Sequence, residues 1–196
     1  MKVVLATKNE GKLREFKQSF QELGWELVSL DQVAEISDII EDGTTFCENA
    51  IIKAKTVMQA TGLPTIADDS GIVVDALNGK PGVYSARYAG AGATDEDNNK
   101  KLLEELADVP KELRTARFVC CLAYYNPNEK TPLTFEGECQ GIIIDSPRGT
   151  NGFGYDPLFF VESENKTMAE IPVEQKNKIS HRAKALNGMK NMLSNY

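Results

Sequence analysis

Apolar positions in this chain fall into short unbroken runs that alternate with stretches of helical spacing, a pattern typical of an α/β protein. Residues 3–6 are predicted to form a buried strand, and further strands are predicted at residues 25–30, 65–67, 72–76, 116–125, 133–138, 141–144 and 158–161. Helices are predicted from about residue 11, over 45–62, from residue 94 and from residue 181. The close spacing of strands in the second half favours a long mixed sheet with antiparallel portions, flanked by helices.

A short polar loop separates the first predicted strand from the first predicted helix, and it reads Thr7-Lys8-Asn9-Glu10-Gly11-Lys12. A strand, a loop and a helix amino terminus direct backbone N–H groups and the positive end of the helix dipole at an anion, so this loop is a candidate phosphate site. It is not a Walker A loop, because Ala6 and Leu13 stand where that pattern needs Gly and Ser or Thr. The hydroxyl that would hold Mg²⁺ is missing, so a metal would have to be bound elsewhere.

Two acidic segments are candidates for that metal site. Asp68 and Asp69 follow an apolar run and precede a Ser-Gly pair, so the sequence predicts two carboxylates presented in a turn between strands. Mg²⁺ takes oxygen ligands, usually one or two carboxylates, and substrate phosphates complete its shell. Glu41 supplies a further carboxylate just ahead of the second predicted helix. Solvated aspartates in an ordinary turn are the structural alternative.

The second predicted helix carries polar groups beside its apolar side. Thr45 and Glu48 have the spacing of a capping box and mark its first turn. Asn49 and Lys53 lie one turn apart next to the buried stripe, so both side chains need partners. An ammonium that reaches water is the common alternative for Lys53. Together with Glu41, however, these groups favour a site for phosphate and metal.

Two segments of the second half are candidates for recognising a nucleobase. Residues 149–157 interleave three glycines with Phe153 and Tyr155, and flat rings suit stacking on a base. The alternative is a turn whose aromatic rings pack into the core. Ser180 is predicted to cap a helix whose first turn contains His181 and Arg182, where the dipole disfavours cations by about 0.3 to 1 kcal/mol. A bound anion or polar ligand would remove that cost, whereas an exposed basic turn would carry almost none in salt.

Composition indicates a compact enzyme rather than a binding protein for nucleic acid or membrane. A chain of 196 residues, 41% hydrophobic and 26% charged, fits one domain over 1–196 with two lobes. The net charge of -7 argues against nucleic-acid and membrane binding, and the absence of a long apolar segment predicts a cytoplasmic protein. Four cysteines without a C-x-x-C pair predict buried, reduced thiols. With one histidine and no G-x-S-x-G motif, zinc and Ser-His-Asp hydrolases are disfavoured.

These motifs together resemble the inosine triphosphate pyrophosphatase family, and more narrowly its bacterial dITP/XTP pyrophosphatases. They follow the family's order from Lys2 to about Leu186. The one departure is Lys8, a spacer position at which bacterial members often have Gly. The resemblance is carried by Thr7-x-Asn9-x-x-Lys12, Glu41-x-Gly43-x-Thr45-Phe46-x-Glu48-Asn49-Ala50, Ala67-Asp68-Asp69-Ser70-Gly71, Pro81-Gly82-Val83-Tyr84-Ser85-Ala86-Arg87, Phe153-Gly154-Tyr155-Asp156-Pro157 and Ser180-His181-Arg182.

The resemblance implies an activity, a cofactor and a set of site residues. Members hydrolyse non-standard purine nucleoside triphosphates such as ITP, dITP and XTP to the monophosphate and pyrophosphate with Mg²⁺, which keeps these nucleotides out of DNA and RNA. They are usually homodimers with the active site in a cleft between two lobes. Asp69 would be the catalytic base, and Glu41, Asp68 and Asp69 would hold the metal. The substrate would contact Thr7, Lys8, Asn9, Glu10, Gly11, Lys12, Lys53, Ser70, Phe153, Gly154, Tyr155, Asp156, Lys176, His181 and Arg182.

Two other function classes stay open at this point. A nucleotide sensor without catalysis would need the phosphate loop and a base pocket, but it has no use for three clustered carboxylates. A kinase or GTPase similar to P-loop proteins would need the missing Walker hydroxyl and would release inorganic phosphate instead of pyrophosphate.

Overall fold

The computed structural model describes residues 1–7, 9–20, 24–33, 36 and 39–194, apart from the side chains of residues 10, 14, 15, 18 and 19. Its strands are β1 (Lys2–Leu5), β2 (Glu26–Ser29), β3 (Thr65–Val74), β4 (Thr115–Tyr125), β5 (Leu133–Ile143), β6 (Phe159–Val161) and β7 (Lys166–Thr167). Its α-helices are α1 (Glu10–Phe20), α2 (Phe46–Thr61), α3 (Asp95–Glu105), α4 (Val173–Ile179) and α5 (His181–Leu193). None of the described helices has the length and apolar character needed to cross a membrane.

One seven-stranded sheet joins the strands in the order β2-β1-β3-β4-β5-β6-β7. Strand β1 is parallel to both β2 and β3, whereas β6 is antiparallel to both β5 and β7. The parallel strands are connected through α1 and α2, because a parallel pair needs a long crossover connection. The predicted α/β class and mixed sheet, antiparallel in its second half, are therefore confirmed.

Helix α2 begins and ends where the sequence predicts. The Thr45 hydroxyl accepts a hydrogen bond from the Glu48 N–H at 3.1 Å, and the Glu48 carboxylate accepts one from the Thr45 N–H at 3.2 Å. At the other end Gly62 has a φ of 68°, and its N–H donates to the Met58 carbonyl at 2.8 Å. Both signals are local, so the sequence alone was sufficient to place this helix.

The capping box of α2 predicts a stability difference that depends on pH. The carboxylate of Glu48 also accepts hydrogen bonds from the Thr44 hydroxyl and N–H, and these bonds lower the pKa of Glu48. Because the pKa of Glu48 is lower in the folded state, its carboxylate stabilises the fold at pH values above its unfolded-state pKa of about 4.3. This contribution is lost as the pH falls through the folded-state pKa. Glu48→Gln should therefore unfold at a lower temperature than the wild type at neutral pH, with the gap closing in acid.

Thermal unfolding of the two proteins over a pH series measures this gap. Glu129→Gln is the matched control, because Glu129 is exposed in a turn outside the helix. A gap for Glu48→Gln that is the same at every pH would contradict the charge-assisted role of this carboxylate.

Two strands are longer than predicted. Asp68 and Asp69 do not lie in a turn, because β3 runs without a break from Thr65 to Val74 and contains them. The predicted strands 65–67 and 72–76 are therefore one strand, which ends two residues earlier than predicted, where a short 3-10 helix begins at Asp75. Likewise the predicted strands 133–138 and 141–144 are one strand, β5, which ends at Ile143. Both ends of β3 bury apolar side chains, and this tertiary burial outweighs the low strand propensity of the Asp-Asp-Ser-Gly centre. Strand β7 and helix α4 were not predicted, since two and seven residues are too few for a periodic signal.

The chain divides into two compact units. The first unit comprises Met1–Asp69, Cys120–Gly137 and Lys184–Tyr196, and the second comprises Ser70–Val119 and Glu138–Ala183. Each unit has a buried apolar cluster of its own. The first cluster includes Val3, Leu5, Phe16, Phe20, Ile66, Leu122 and Met189, and the second includes Ile72, Leu102, Leu106, Phe118, Leu158, Phe159 and Met168. The single-domain boundary and the active site between two lobes stay predictions.

A disulfide joins Cys47 to Cys121, so the expectation of four reduced thiols was wrong. The Cα atoms of the pair are 5.1 Å apart, whereas Cys120 and Cys139 are buried and are not part of this disulfide. The bonded cysteines are separated by 74 positions, and only the approach of the first turn of α2 to β4 brings them together. Glu136 lies 3.2 Å from the Cys47 sulfur. Although these three residues are close enough to hold a metal ion, sulfurs bonded to each other are not thiolate ligands.

Candidate active site

The amino-terminal loop forms the capped start of α1. Asn9 precedes the helix, and its side-chain oxygen accepts a hydrogen bond from the Lys12 N–H at 3.0 Å. The Thr7 hydroxyl accepts one from the Asn9 N–H at 3.2 Å. This is the strand, loop and helix arrangement that places backbone donors and a positive dipole end around an anion. Lys8 lies outside the described residues, and Glu10 and Gly11 contribute the first backbone positions of the helix.

Strand pairing brings this loop to the first of the two aspartates. Leu5 at the end of β1 is opposite Ile66 of β3, so the loop that follows β1 lies beside the residues that come next along β3, including Asp68. The Lys12 ammonium lies 2.7 Å from a carboxylate oxygen of Asp68, whose side chain is 1% exposed. A carboxylate buried to this extent needs an opposite charge or several hydrogen bonds, and Lys12 supplies the charge.

Helix α2 provides partners for the other two carboxylates. The Lys53 ammonium lies 2.8 Å from Glu41 and 3.7 Å from Asp69. One turn earlier, the Asn49 amide nitrogen donates to Asp69 at 3.1 Å, and its oxygen accepts from the Gly43 N–H at 2.8 Å. The Lys53 side chain is only 12% exposed, so the alternative that it reaches water is wrong.

The structure explains why glycine is needed at Gly43 and what the side chain of Asn49 does. A Cβ atom at Gly43 would lie 2.7 Å from the Asn49 side-chain oxygen, so only glycine fits there without displacing Asn49. Asn49 was not among the predicted site residues, although its position beside the apolar stripe of α2 already indicated that it needed a partner. Its hydrogen bond orients the carboxylate of Asp69.

Burial and neighbouring charges shift the protonation of Asp69 and Lys53. Burial raises the pKa of Asp69, and Lys53 and the hydrogen bond from Asn49 only partly oppose this effect. Burial alone would lower the pKa of Lys53, but Asp68, Asp69 and Glu41 outweigh it, and the pKa of Lys53 is raised. A carboxylate with a raised pKa accepts a proton more readily than an ordinary aspartate, and Lys53 stays cationic.

The donor set of these carboxylates suits a hard divalent cation. Glu41, Asp68 and Asp69 offer oxygen ligands, which Mg²⁺ prefers over nitrogen or sulfur. Their ligand atoms are not all within 4.8 Å of one another; among the described residues that spacing is met by the Cys47, Cys121 and Glu136 group alone. Since Mg²⁺ usually takes one or two carboxylates and completes its shell with water and phosphate, the residues fit the ion without all three binding at once.

A second group of polar side chains surrounds Phe153 in the second unit. The Lys176 ammonium lies 2.7 Å from Asp156, and the same carboxylate oxygen accepts a hydrogen bond from the Phe153 N–H at 3.0 Å. The cationic ends of Lys176 and Arg182 lie 5.2 and 5.7 Å from the centre of the Phe153 ring. Burial raises the pKa of Asp156, with the Lys176 charge opposing it. A Cβ at Gly152 would lie 1.9 Å from Asp156, which explains one glycine of this stretch.

The basic first turn of α5 is buried. His181 and Arg182 are 5% and 2% exposed, so the alternative of a solvated basic turn is wrong. Arg182 donates to the Ser70 hydroxyl at 3.2 Å, and the His181 ring stacks on Phe118 with 4.9 Å between ring centres. The Ser180 hydroxyl caps the helix by accepting from the Ala183 N–H at 3.2 Å. Cations buried at the positive end of a helix dipole are costly, and an anionic or carbonyl-bearing ligand would offset that cost.

Tyr155 does not join Phe153 in this group. Its ring belongs to the buried core of the second unit, and its hydroxyl donates to the Ser85 carbonyl at 2.8 Å. Ser85 in turn accepts a hydrogen bond from the Ile72 N–H at 2.9 Å. For Tyr155 the alternative of a core aromatic is therefore correct, and it anchors one end of the loop that carries Phe153.

The sequence of this chain is similar to that of a known protein family. The sequence model of the Ham1 family matches residues 3–192. This chain belongs to the Ham1 family. A Ham1 relative, the dITP/XTP pyrophosphatase of Geobacter sulfurreducens, is 55% identical over 192 residues, which cover 98% of this chain and 96% of the relative. The protein of the same name from Bacillus licheniformis is 53% identical over 97% of both chains.

Solved structures agree with this family assignment. The structure of a HAM1 protein from Coxiella burnetii has a TM-score of 0.93 and 43% identity, with 100% of both chains covered. The family resemblance drawn from the motifs is therefore confirmed over the whole chain.

Proposed function

We propose that this Ham1 protein hydrolyses non-standard purine nucleoside triphosphates, such as ITP, dITP and XTP, to the nucleoside monophosphate and pyrophosphate. The observation that carries the proposal is a pair of lysines beside two carboxylates of β3: Lys12 of α1 lies 2.7 Å from Asp68, and Lys53 of α2 lies 3.7 Å from Asp69. The names of the relatives, dITP/XTP pyrophosphatases, support the substrate class. Such an enzyme would remove these nucleotides before they enter DNA or RNA.

The residues of the first unit suit attack by water on the α-phosphorus. Lys12, Lys53 and the amino terminus of α1 would neutralise the growing negative charge of the phosphates. Asp69, held by Asn49 and given a raised pKa by burial, would accept the proton of the attacking water. Glu41, Asp68 and Asp69 would hold Mg²⁺, which when bound supplies charge neutralisation and a more acidic water.

The residues around Phe153 suit recognition of a 6-oxo purine. Phe153 would stack on the base, and Lys176, His181 and Arg182 would direct donors at the oxygen on C6. The Asp156 carboxylate holds Lys176 at 2.7 Å and thereby fixes one of these donors. An amino group at C6, as in adenine, would face other donors, and a site built to hydrogen-bond one group rejects an analogue that leaves it unpaired.

A product assay tests this function directly. Purified protein is incubated with ITP, dITP, XTP, ATP or GTP, each with MgCl₂ or with EDTA, and the products are separated by anion exchange. We expect monophosphate and pyrophosphate from the first three nucleotides, only with Mg²⁺. The donors for the C6 oxygen would exclude ATP; guanine has the same oxygen, so exclusion of GTP is expected from the family resemblance. Equal hydrolysis of all five would overturn the base recognition, inorganic phosphate would favour the kinase or GTPase class, and binding of ITP without turnover would favour the sensor.

The proposal also includes the oligomeric state and the cellular location of the protein. We expect a homodimer, as the family resemblance implies, and sedimentation of the purified protein measures it. We propose a cytoplasmic location because the sequence has no long apolar segment. The Cys47–Cys121 disulfide opposes this location, because disulfides are rare in the cytosol, and cell fractionation distinguishes the two cases.

A further inference from the structure

Helix α3 binds both backbone groups of Gly154, the residue after Phe153. The Asp95 carboxylate accepts a hydrogen bond from the Gly154 N–H at 2.6 Å, and the Asn99 side-chain nitrogen donates to the Gly154 carbonyl at 3.0 Å. Asp95 and Asn99 lie one turn apart on α3, so their side chains reach the same stretch of loop. The loop segment next to the predicted base-stacking ring is thus held at one residue by two side chains.

Helix α3 is held in place by an N-terminal cap and by packing on its inner side. Thr94 and Asp97 form a capping box at its start, with hydrogen bonds of 2.9 and 3.2 Å. On its inner side Leu102 is fully buried, and the Asn98 side-chain oxygen accepts from the Ala89 N–H at 2.8 Å. Because α3 is capped and packed, the backbone at Asp95 and Asn99 is held in place. Their hydrogen bonds therefore fix the position of the loop at Gly154.

Packing alone does not hold the loop at this point. Gly154 has a φ of 62°, and a Cβ built on it would meet no atom within 4 Å. A cavity of about 780 Å³ lies between α3 and the loop, and its wall includes Gly152, Phe153 and Gly154. The backbone therefore has room to move if its hydrogen bonds to α3 are lost.

We propose that Asp95 and Asn99 are positioning residues that strengthen binding of the base by holding Gly154 and, through it, the ring of Phe153. This inference rests on the proposed function, because it takes Phe153 as the platform for the base. Neither residue touches the reacting atoms. Without them the loop would still be held by the Phe153–Asp156 hydrogen bond and by the buried Tyr155, but the ring would be held less firmly beside Lys176 and Arg182. Binding of the base would then weaken while the phosphate chemistry at Asp69 would continue.

Steady-state kinetics of four variants test the proposal. Asp95→Ala should raise KM for ITP about 10-fold, as expected for one lost hydrogen bond to a charged group, with kcat changed by less than about 2-fold. Asn99→Ala should raise KM in the same direction by a smaller factor. Asp95→Asn keeps an acceptor oxygen and should recover most of the affinity. Glu96→Ala is the matched control, because it removes an exposed acid from the same first turn of α3.

Hydrogen exchange provides a readout that is independent of activity. The Gly154 amide should exchange at least about 10-fold faster in Asp95→Ala and at the wild-type rate in Glu96→Ala, with Leu102 and Leu106 still protected. If the Leu102 and Leu106 amides lose protection, α3 has unfolded in Asp95→Ala. The KM and the Gly154 exchange rate of Asn99→Ala then test the positioning role in its place.

The outcomes separate this inference from the proposed function. If the wild-type protein does not convert ITP to monophosphate and pyrophosphate, both the proposed function and the positioning role are contradicted. An active wild type with unchanged KM and unchanged Gly154 exchange in the two alanine variants overturns only the positioning role. A fall in kcat at constant KM would also overturn it, since that pattern belongs to a residue of the phosphate chemistry.

Discussion

Replacing Asp69 by asparagine is expected to lower kcat for ITP by at least about 100-fold, the low end for loss of a general base. Asparagine has the same shape and can still accept the hydrogen bond that the Asn49 amide nitrogen now donates to Asp69 at 3.1 Å. It cannot accept a proton at neutral pH. Since the lysines that would bind the phosphates are unchanged, KM should stay near the wild-type value. Pyrophosphate release with saturating ITP and Mg²⁺ measures kcat.

The control for this variant is Asp42→Asn. It makes the same change of charge at an exposed aspartate of the first unit, and it should leave kcat near the wild-type value. Near-normal turnover by Asp69→Asn would remove Asp69 from the role of base and assign proton transfer to another group. A large rise in KM instead of a fall in kcat would indicate that Asp69 acts mainly in binding.

Reducing the Cys47–Cys121 disulfide is expected to lower the free energy of unfolding by about 4 kcal/mol, the loop-closure value for a loop of this length. The bond connects residues 74 positions apart, so it removes many conformations from the unfolded chain. Urea unfolding with and without a phosphine reductant measures the difference. Alkylation of the urea-unfolded protein should label two thiols, Cys120 and Cys139, before reduction and four afterwards.

Cys47→Ser is the control for reductant effects. This variant cannot form the bond, so its unfolding midpoint should be that of the reduced wild type and should not respond to the reductant. Equal midpoints of the oxidised and reduced wild type would contradict the stabilising role. Four labelled thiols before reduction would contradict the bond itself.

Short-range signals account for the parts of the fold that could be predicted. The limits of α2 follow from Thr45, Glu48 and Gly62, which act within one turn of the residues they cap. The loop before α1 was a candidate phosphate site because a strand and a helix start flank it. The family motifs likewise placed Lys12, Lys53 and the aspartates in one site, and the structure brings these residues of the first unit together.

Long-range packing accounts for the predictions that failed. Asp68 and Asp69 read as a turn because polar residues interrupt the apolar run, but burial of Ile66 and Ile72 on either side keeps the strand continuous. Tyr155 read as a second base-stacking ring, whereas its hydroxyl reaches Ser85, 70 positions away. Nothing in the local pattern distinguishes Tyr155 from Phe153, because only the surrounding core decides which ring is buried.

The sequence by itself determined the α/β class, the helix that carries Asn49 and Lys53, and membership of a family with a shared set of motifs. These are encoded in spacing and in capping signals that act over a few residues. The tertiary structure alone decided the continuous strand β3, the disulfide, and the hydrogen bonds from Asp95 to Gly154 and from Arg182 to Ser70, across 59 and 112 positions. Such contacts depend on how strands and helices pack together, and packing is a property of the whole chain.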